Sequence, residues 1–148
     1  MTPPNLHGTA LVLGSCGVLV LGPSGSGKST LALAAVSRFR DVGRLACLVS
    51  DDQVLVAVHG ARLVCSAPRT ISGLVEVHGV GPRPSAVQPQ AVIDLAVRLV
   101  PAGEMQRLPE EEFEDVAGCR LPVLKVPQRD TQPALMAIAA RLSLPPFA

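Results

Sequence analysis

At 148 residues the chain has room for one domain with its own core, but not for a nucleotide-binding domain and a separate catalytic one. Hydrophobic residues make up 48% and charged residues 17%, with a net charge of +1, which argues against a disordered chain and against the basic face of a nonspecific nucleic-acid binder. There is no Trp or Tyr and only three Phe, so stacking platforms for single-stranded nucleic acid are nearly absent and no nucleic-acid partner is expected.

In chain order, Thr9 to Leu13 and Val18 to Leu21 read as short apolar strands joined by a Gly14-Ser15-Cys16-Gly17 turn. No Lys or Arg precedes this apolar stretch, and Gly14 and Gly17 interrupt it, so neither a secretory leader nor a membrane span is expected and the location is expected to be cytoplasmic. Gly22 to Gly27 is a loop, and Lys28 to Arg40 carries helical spacing through Leu31, Ala34 or Ala35, and Phe39. Leu45 to Val49 reads as a buried strand ending in Ser50-Asp51-Asp52, and Gln53 to His59 with Arg62 to Ser66 as a hairpin about Gly60-Ala61. Leu74 to Val77 is a further strand closed by Gly79 and Gly81, while Pro82, Pro84 and Pro89 mark connections. Ala91 to Val100 fits a helix or a buried strand, Glu110 to Asp115 a solvated acidic run, Leu121 to Val126 a last strand and Gln132 to Leu142 a closing helix. Cys16, Cys47, Cys65 and Cys119 form no C-x-x-C pair, which points to reduced, mostly buried thiols rather than a zinc or redox site.

The strongest chemical signal is Gly22-Pro23-Ser24-Gly25-Ser26-Gly27-Lys28-Ser29, a complete G-x-x-x-x-G-K-[ST] P-loop after a strand and before a helix. Its glycines let successive backbone N–H groups turn toward a polyphosphate, and the helix N-terminus adds a favourable dipole. Lys28 can neutralise the β and γ phosphates of a bound polyphosphate and Ser29 can ligate Mg²⁺, with Thr30 extending the binding segment. Arginine outnumbers lysine eleven to two, so Lys28 is not one of many surface lysines. One helix later comes Asp51-Asp52, where P-loop proteins place acids near the metal and the attacking group. On an extended chain the two carboxylates point opposite ways, one reaching the metal or ordering the site and the other facing a nucleophile as base, unless one is simply a turn residue. Glu76, among Val and Leu, calls for a cation or metal partner, or else faces outward from an exposed strand.

His7-Gly8, the P-loop, Leu48-Val49-Ser50-Asp51-Asp52 and Gly73-Leu74-Val75-Glu76-Val77-His78-Gly79-Val80-Gly81 together resemble, in this order, the catalytic domain of HPr kinase/phosphorylase. The likeness is greatest to the short proteobacterial forms without an N-terminal domain, and Arg107-Leu108-Pro109-Glu110 and the Leu121 to Leu142 tail share it. The resemblance implies a single catalytic domain over residues 1–148, an α/β P-loop fold with a mixed sheet related to phosphoenolpyruvate carboxykinase, and assembly as a homo-oligomer, a hexamer in the family. It implies an ATP- and Mg²⁺-dependent kinase acting on a serine of the phosphocarrier HPr and reversing that modification by phosphorolysis to pyrophosphate. Carried over by motif, Lys28 contacts phosphates, Ser29 and Glu76 hold Mg²⁺, Asp52 is the base, Asp51 is its partner and His7 supports the acid pair. Arg129 is the nearest match to a functional arginine that follows Pro122-Val123. The chain departs from the family pattern at Thr30, where an acid is usual, at His78, where an Arg is usual, and at Pro82. A non-catalytic nucleotide sensor and a small-molecule P-loop kinase are the other readings.

Overall fold

The computed structural model describes residues 5–107 and 109–147. Met1 to Pro4, Leu108 and Ala148, which the expected 1–148 domain and the Arg107-Leu108-Pro109-Glu110 likeness include, lie outside the described residues. The elements in order are β1 (Asn5–His7), β2 (Thr9–Leu13), β3 (Cys16–Leu21), α1 (Lys28–Asp41), β4 (Ala46–Ser50), β5 (Gln53–His59), β6 (Arg62–Ser66) and β7 (Leu74–Val77). They continue with β8 (Gly81–Pro84), β9 (Gln90–Ile93), β10 (Leu95–Val100), β11 (Glu112–Val116), β12 (Cys119–Pro127) and α2 (Thr131–Arg141).

A six-stranded sheet in the order β11-β12-β10-β3-β2-β4 forms the centre, with a four-stranded sheet β1-β5-β6-β9 and a two-stranded ribbon β7-β8 beside it. β10 runs parallel to both β3 and β12, while β2 and β11 are antiparallel to their neighbours, so the sheet is mixed as the resemblance implied. Leu11, Leu13, Val18 and Val20 pack with Leu31, Ala35 and Phe39 of α1 and Ile138 of α2. The alternate residues Ala10, Val12, Leu19 and Leu21 pack with Val54, Val56, Leu63 and Cys65 of the four-stranded sheet. A strand covered on both faces gains from apolar residues at every position, which is why β2 and β3 are continuous hydrophobic runs instead of alternating ones. Each fully buried Leu or Val contributes about 1.5–3 kcal/mol. The sheets approach so closely at Gly17 that a β-carbon there would lie 1.8 Å from the carbonyl oxygen of Val92.

Several expectations need correction. The first hairpin turn is Gly14-Ser15, because Cys16 and Gly17 already pair with β2. The Ala91 to Val100 segment is two strands in different sheets, broken at Asp94, whose carboxylate accepts from the Gly17 amide at 3.0 Å. Pro82 and Pro84 lie inside β8, which a two-stranded ribbon tolerates because half of its backbone groups need no ladder partner. The acidic surface run is more than a solvated stretch: Glu112 to Val116 forms β11, where Glu112 pairs with Lys125 at 2.9 Å and Glu114 forms a two-point bond with Arg98. Cross-strand cations turn that run into an edge strand. All four cysteines are free, with Cys65 and Cys119 buried and Cys16 and Cys47 half-buried. No helix of the described residues is long and apolar enough to cross a membrane.

Candidate active site

The P-loop leaves the carboxyl end of β3, beside the carboxyl ends of the parallel strands β10 and β12, the edge of an α/β sheet where ligands bind. Leu21 is buried on one side of the loop and Leu31 and Ala32 on the other, so strand and helix are fixed by the core and the loop spans the gap between them. Gly22 is required by close approach: a β-carbon there would meet Ser26 Oγ at 2.7 Å and Leu99 Cβ at 3.0 Å. Gly27 caps α1 at φ +98°, a conformation that L residues with side chains rarely adopt. α1 has neither a side-chain cap nor an acidic residue in its first turn, leaving its amino end available to an anion. Lys28 is only 7% exposed and its Nζ donates to the carbonyls of Gly22 at 3.0 Å and Pro23 at 3.2 Å. Among the described residues it has no carboxylate partner, so a buried cation stands inside the loop without a counter-charge.

The two aspartates have separate environments. Asp51 is 5% exposed, and its Oδ1 accepts from Ser29 Oγ at 2.6 Å and from Thr9 Oγ1 at 3.1 Å. Its Oδ2 accepts from the backbone amide of Glu76 at 3.1 Å. Asp52 lines the open cleft with Lys28, Ser29, Glu76 and His78, a cavity of about 340 Å³. The divergence does not come from an extended chain, as the sequence suggested. Asp52 is at φ +68°, and its backbone is held by Thr9 Oγ1, which accepts from its amide at 3.2 Å, and by the Gly8 amide, which donates to its carbonyl at 3.0 Å. Asp52 is thus both the turn residue and the cleft residue, two readings that the sequence had set against each other.

Glu76 reaches the cleft by a route other than the expected one. It is exposed on the β7-β8 ribbon, so desolvation does not demand a partner for it; the amide bond to Asp51 is what brings it there. His78, just beyond β7, lines the same cleft. His7 pairs in register with Gln53, next to Asp52, but its side chain is exposed and donates no hydrogen bond to either aspartate. Any support His7 gives the acid pair therefore runs through the strand pairing, while Thr9 supplies the side-chain contacts. Arg129 does arrive at the loop: at φ +54° its Nε donates to the Gly25 carbonyl at 2.7 Å and its amide to the Ser26 carbonyl at 3.1 Å. It grips the outer side of the P-loop and does not face the acids.

The donors around the cleft are the Ser29 hydroxyl and the carboxylates of Asp52 and Glu76, hard oxygens that suit Mg²⁺. Among the described residues no cluster of three His, Cys, Asp or Glu is placed to hold a metal ion by itself.

The model of the family described as HPr Serine kinase C-terminal domain matches residues 2–142. The chain belongs to this family. HPr kinase/phosphorylase of Burkholderia cenocepacia (strain HI2424) is 39% identical over 132 residues, and the proteins of the same name from Burkholderia mallei (strain SAVP1) and Paraburkholderia phymatum match to the same degree. Each match covers 82% of this chain, and the chain spans 38% of the length of those relatives. The solved structure of the Hpr(Ser) kinase/phosphatase from Coxiella burnetii superposes with a TM-score of 0.76 at 26% identity, covering 94% of this chain and 89% of that one.

Among the residues around the acid pair, sequence reasoning missed Thr9. Its hydroxyl donates to one aspartate and accepts from the amide of the next, and it is fully buried. The available signal was a lone polar residue opening the apolar run Thr9-Ala10-Leu11-Val12-Leu13, since a buried hydroxyl needs partners.

Proposed function

We propose that this chain catalyses the ATP- and Mg²⁺-dependent phosphorylation of a serine of the phosphocarrier HPr, and the reverse phosphorolysis of phosphoserine-HPr by inorganic phosphate, which yields pyrophosphate. The observation that carries the reading is the division of labour between the aspartates: Asp51 is fully engaged in the wall, while Asp52 is presented to the cleft opposite Lys28. Asp52 takes the proton of the serine hydroxyl as its oxygen bonds to the γ phosphorus and ADP leaves. In reverse it returns a proton to the serine oxygen as phosphate takes the phosphoryl group. Lys28 and the amides of Gly25 to Lys28 hold the transferring group in place, the electrostatic positioning on which phosphoryl transfer depends. Ser29 and Glu76 would hold Mg²⁺, which when bound neutralises phosphate charge. Asp51 orients Ser29 and anchors the ribbon that carries Glu76. Arg129 fixes the shape of the loop through Gly25 and Ser26, and His7 flanks Asp52 through the β1-β5 pairing. A homo-oligomer acting in the cytoplasm belongs to the same reading.

The test is incubation of the purified protein with ATP, Mg²⁺ and HPr, followed by mass spectrometry of HPr. Phosphoserine on HPr is the expected result. ATP binding with no transfer to HPr would leave a nucleotide sensor and remove the proposal.

A further inference from the structure

Two hollows flank the P-loop, and only one of them has a role in the chemistry above. The cleft of about 340 Å³ carries Asp52, Glu76 and His78. On the other side a recess of about 200 Å³ is lined by Thr30, Leu31, Leu99, Pro127, Arg129 and Asp130, among others. Gly27 and Thr30 border both. A polyphosphate seated across them with its reacting end at Asp52 therefore has its other end, where the nucleoside is attached, at the mouth of the recess. We propose that this recess is the subsite for the purine base of the nucleotide and that Asp130 reads the exocyclic amine of the base; the inference rests on the nucleotide reading of the P-loop.

The chemistry of the recess fits a base better than a phosphate. Its floor is apolar, with Leu31 2% and Leu99 3% exposed, and its volume lies below the roughly 300 Å³ typical of sites for whole drug-sized ligands. With no Trp or Tyr in the chain, a base is gripped here by aliphatic walls and hydrogen bonds instead of aromatic stacking. Asp130 occupies the N-cap position of α2, where an aspartate ordinarily accepts from the next backbone amides, yet its side chain makes no capping hydrogen bond. Nor has it an ion pair among the described residues. A carboxylate is an acceptor only, and the exocyclic amine of adenine is a donor. Arg129, whose Nε holds Gly25, joins the P-loop to the start of α2 and fixes the distance between the phosphate and base ends of the site.

The experiment is calorimetric titration of the full chain and of Asp130→Ala with three ligands: ATP, purine riboside triphosphate, which is ATP without the amine, and inorganic tripolyphosphate. Wild type should bind ATP about tenfold more tightly than either of the others, the scale of one charge-assisted hydrogen bond. Asp130→Ala should lose the preference for ATP over purine riboside triphosphate and keep wild-type affinity for tripolyphosphate, which also reports that the variant is folded. Equal wild-type affinities for ATP and purine riboside triphosphate would overturn the role of Asp130. Photolabelling with 8-azido-ATP should mark residues 127–134, whereas labelling confined to residues 76–83 would overturn the subsite. Failure of both ATP and tripolyphosphate to bind wild type would instead sink the P-loop reading itself, an outcome distinct from loss of base preference with tripolyphosphate binding intact.

Discussion

The P-loop wall of the cleft hangs from β3, which has hydrogen-bonded neighbours on both sides and is covered on both faces, and continues into a helix with six buried residues. The opposite wall, with Glu76 and His78, belongs to a two-stranded ribbon whose Leu74 and Val80 are exposed. Val75 packing into the helix-side core and the Glu76 amide on Asp51 are what hold it. An isolated ribbon of this kind is marginally stable in water. One wall is thus fixed by the core, and the other takes its position from Asp51, the carboxylate that also orients Ser29. The lesson is that the orientation of Ser29 and the placement of the ribbon share a single buried group.

The largest effect should come from the rigid wall. Lys28→Ala should reduce phosphoryl transfer about 10³-fold or more and weaken ATP binding, with the circular dichroism spectrum unchanged, because the loss is of charge at the phosphates. Transfer at the wild-type rate would mean that the P-loop is not the phosphate site. Next comes the face of the acid pair: Asp52→Asn should cost about 10²- to 10⁴-fold in single-turnover rate while ATP affinity holds, as removal of a general base does. A comparable collapse of affinity would make Asp52 a binding group.

Thr9→Val tests whether the walls are coupled through Asp51. Removing its hydroxyl leaves a buried carboxylate and an amide each short of a partner, so stability in urea should fall by about 1–3 kcal/mol and transfer by roughly tenfold. A drop in stability with full activity would show that the contact serves the fold alone. On the ribbon wall, Glu76→Gln should raise the Mg²⁺ concentration needed for half-maximal rate several-fold, with excess metal restoring most of the activity. If extra Mg²⁺ restores nothing, Glu76 has another role.

The smallest effect lies away from both walls. Burial pushes the Cys65 thiol up from 9.0 to about 12, so above pH 9 the unfolded chain releases a proton that the folded chain keeps. Stability from this thiol is complete below pH 9 and declines as pH rises toward 12, by at most about 1.4 kcal/mol per unit. Cys65→Ala should make the urea midpoint less sensitive to pH across that range. An unchanged slope would assign the alkaline loss to other groups. Burial raises the Cys16 thiol to about 11 as well, reinforced by Asp94 and opposed by Arg141.

Much of the molecule was legible where neighbours in sequence are neighbours in space. The β2-β3 hairpin, the P-loop, α1, the β5-β6 hairpin and α2 rest on turn chemistry and periodicity within short windows, and they form within a few residues of expectation. β8 was missed because its prolines read as loop signals, and β11 because a run of acids reads as solvated until Arg98 and Lys125 are brought across from β10 and β12. Glu76 was singled out for a desolvation that its exposed ribbon does not impose.

The sequence by itself determined that a glycine-rich P-loop motif stands between a buried strand and a helix, and that an acid pair follows one strand later. A contiguous motif carries its own geometry, because glycine conformations and a helix N-terminus are local properties. Only the tertiary structure decided which aspartate faces the cleft, that Thr9 joins them 42 residues away, that Glu76 arrives through its amide 25 residues from Asp51, and that Arg129 closes on Gly25 across 104 residues. Those positions depend on strand register and on packing between distant segments, and a hydrogen-bond donor has no local preference for a partner that only the assembled core can bring to about 3 Å.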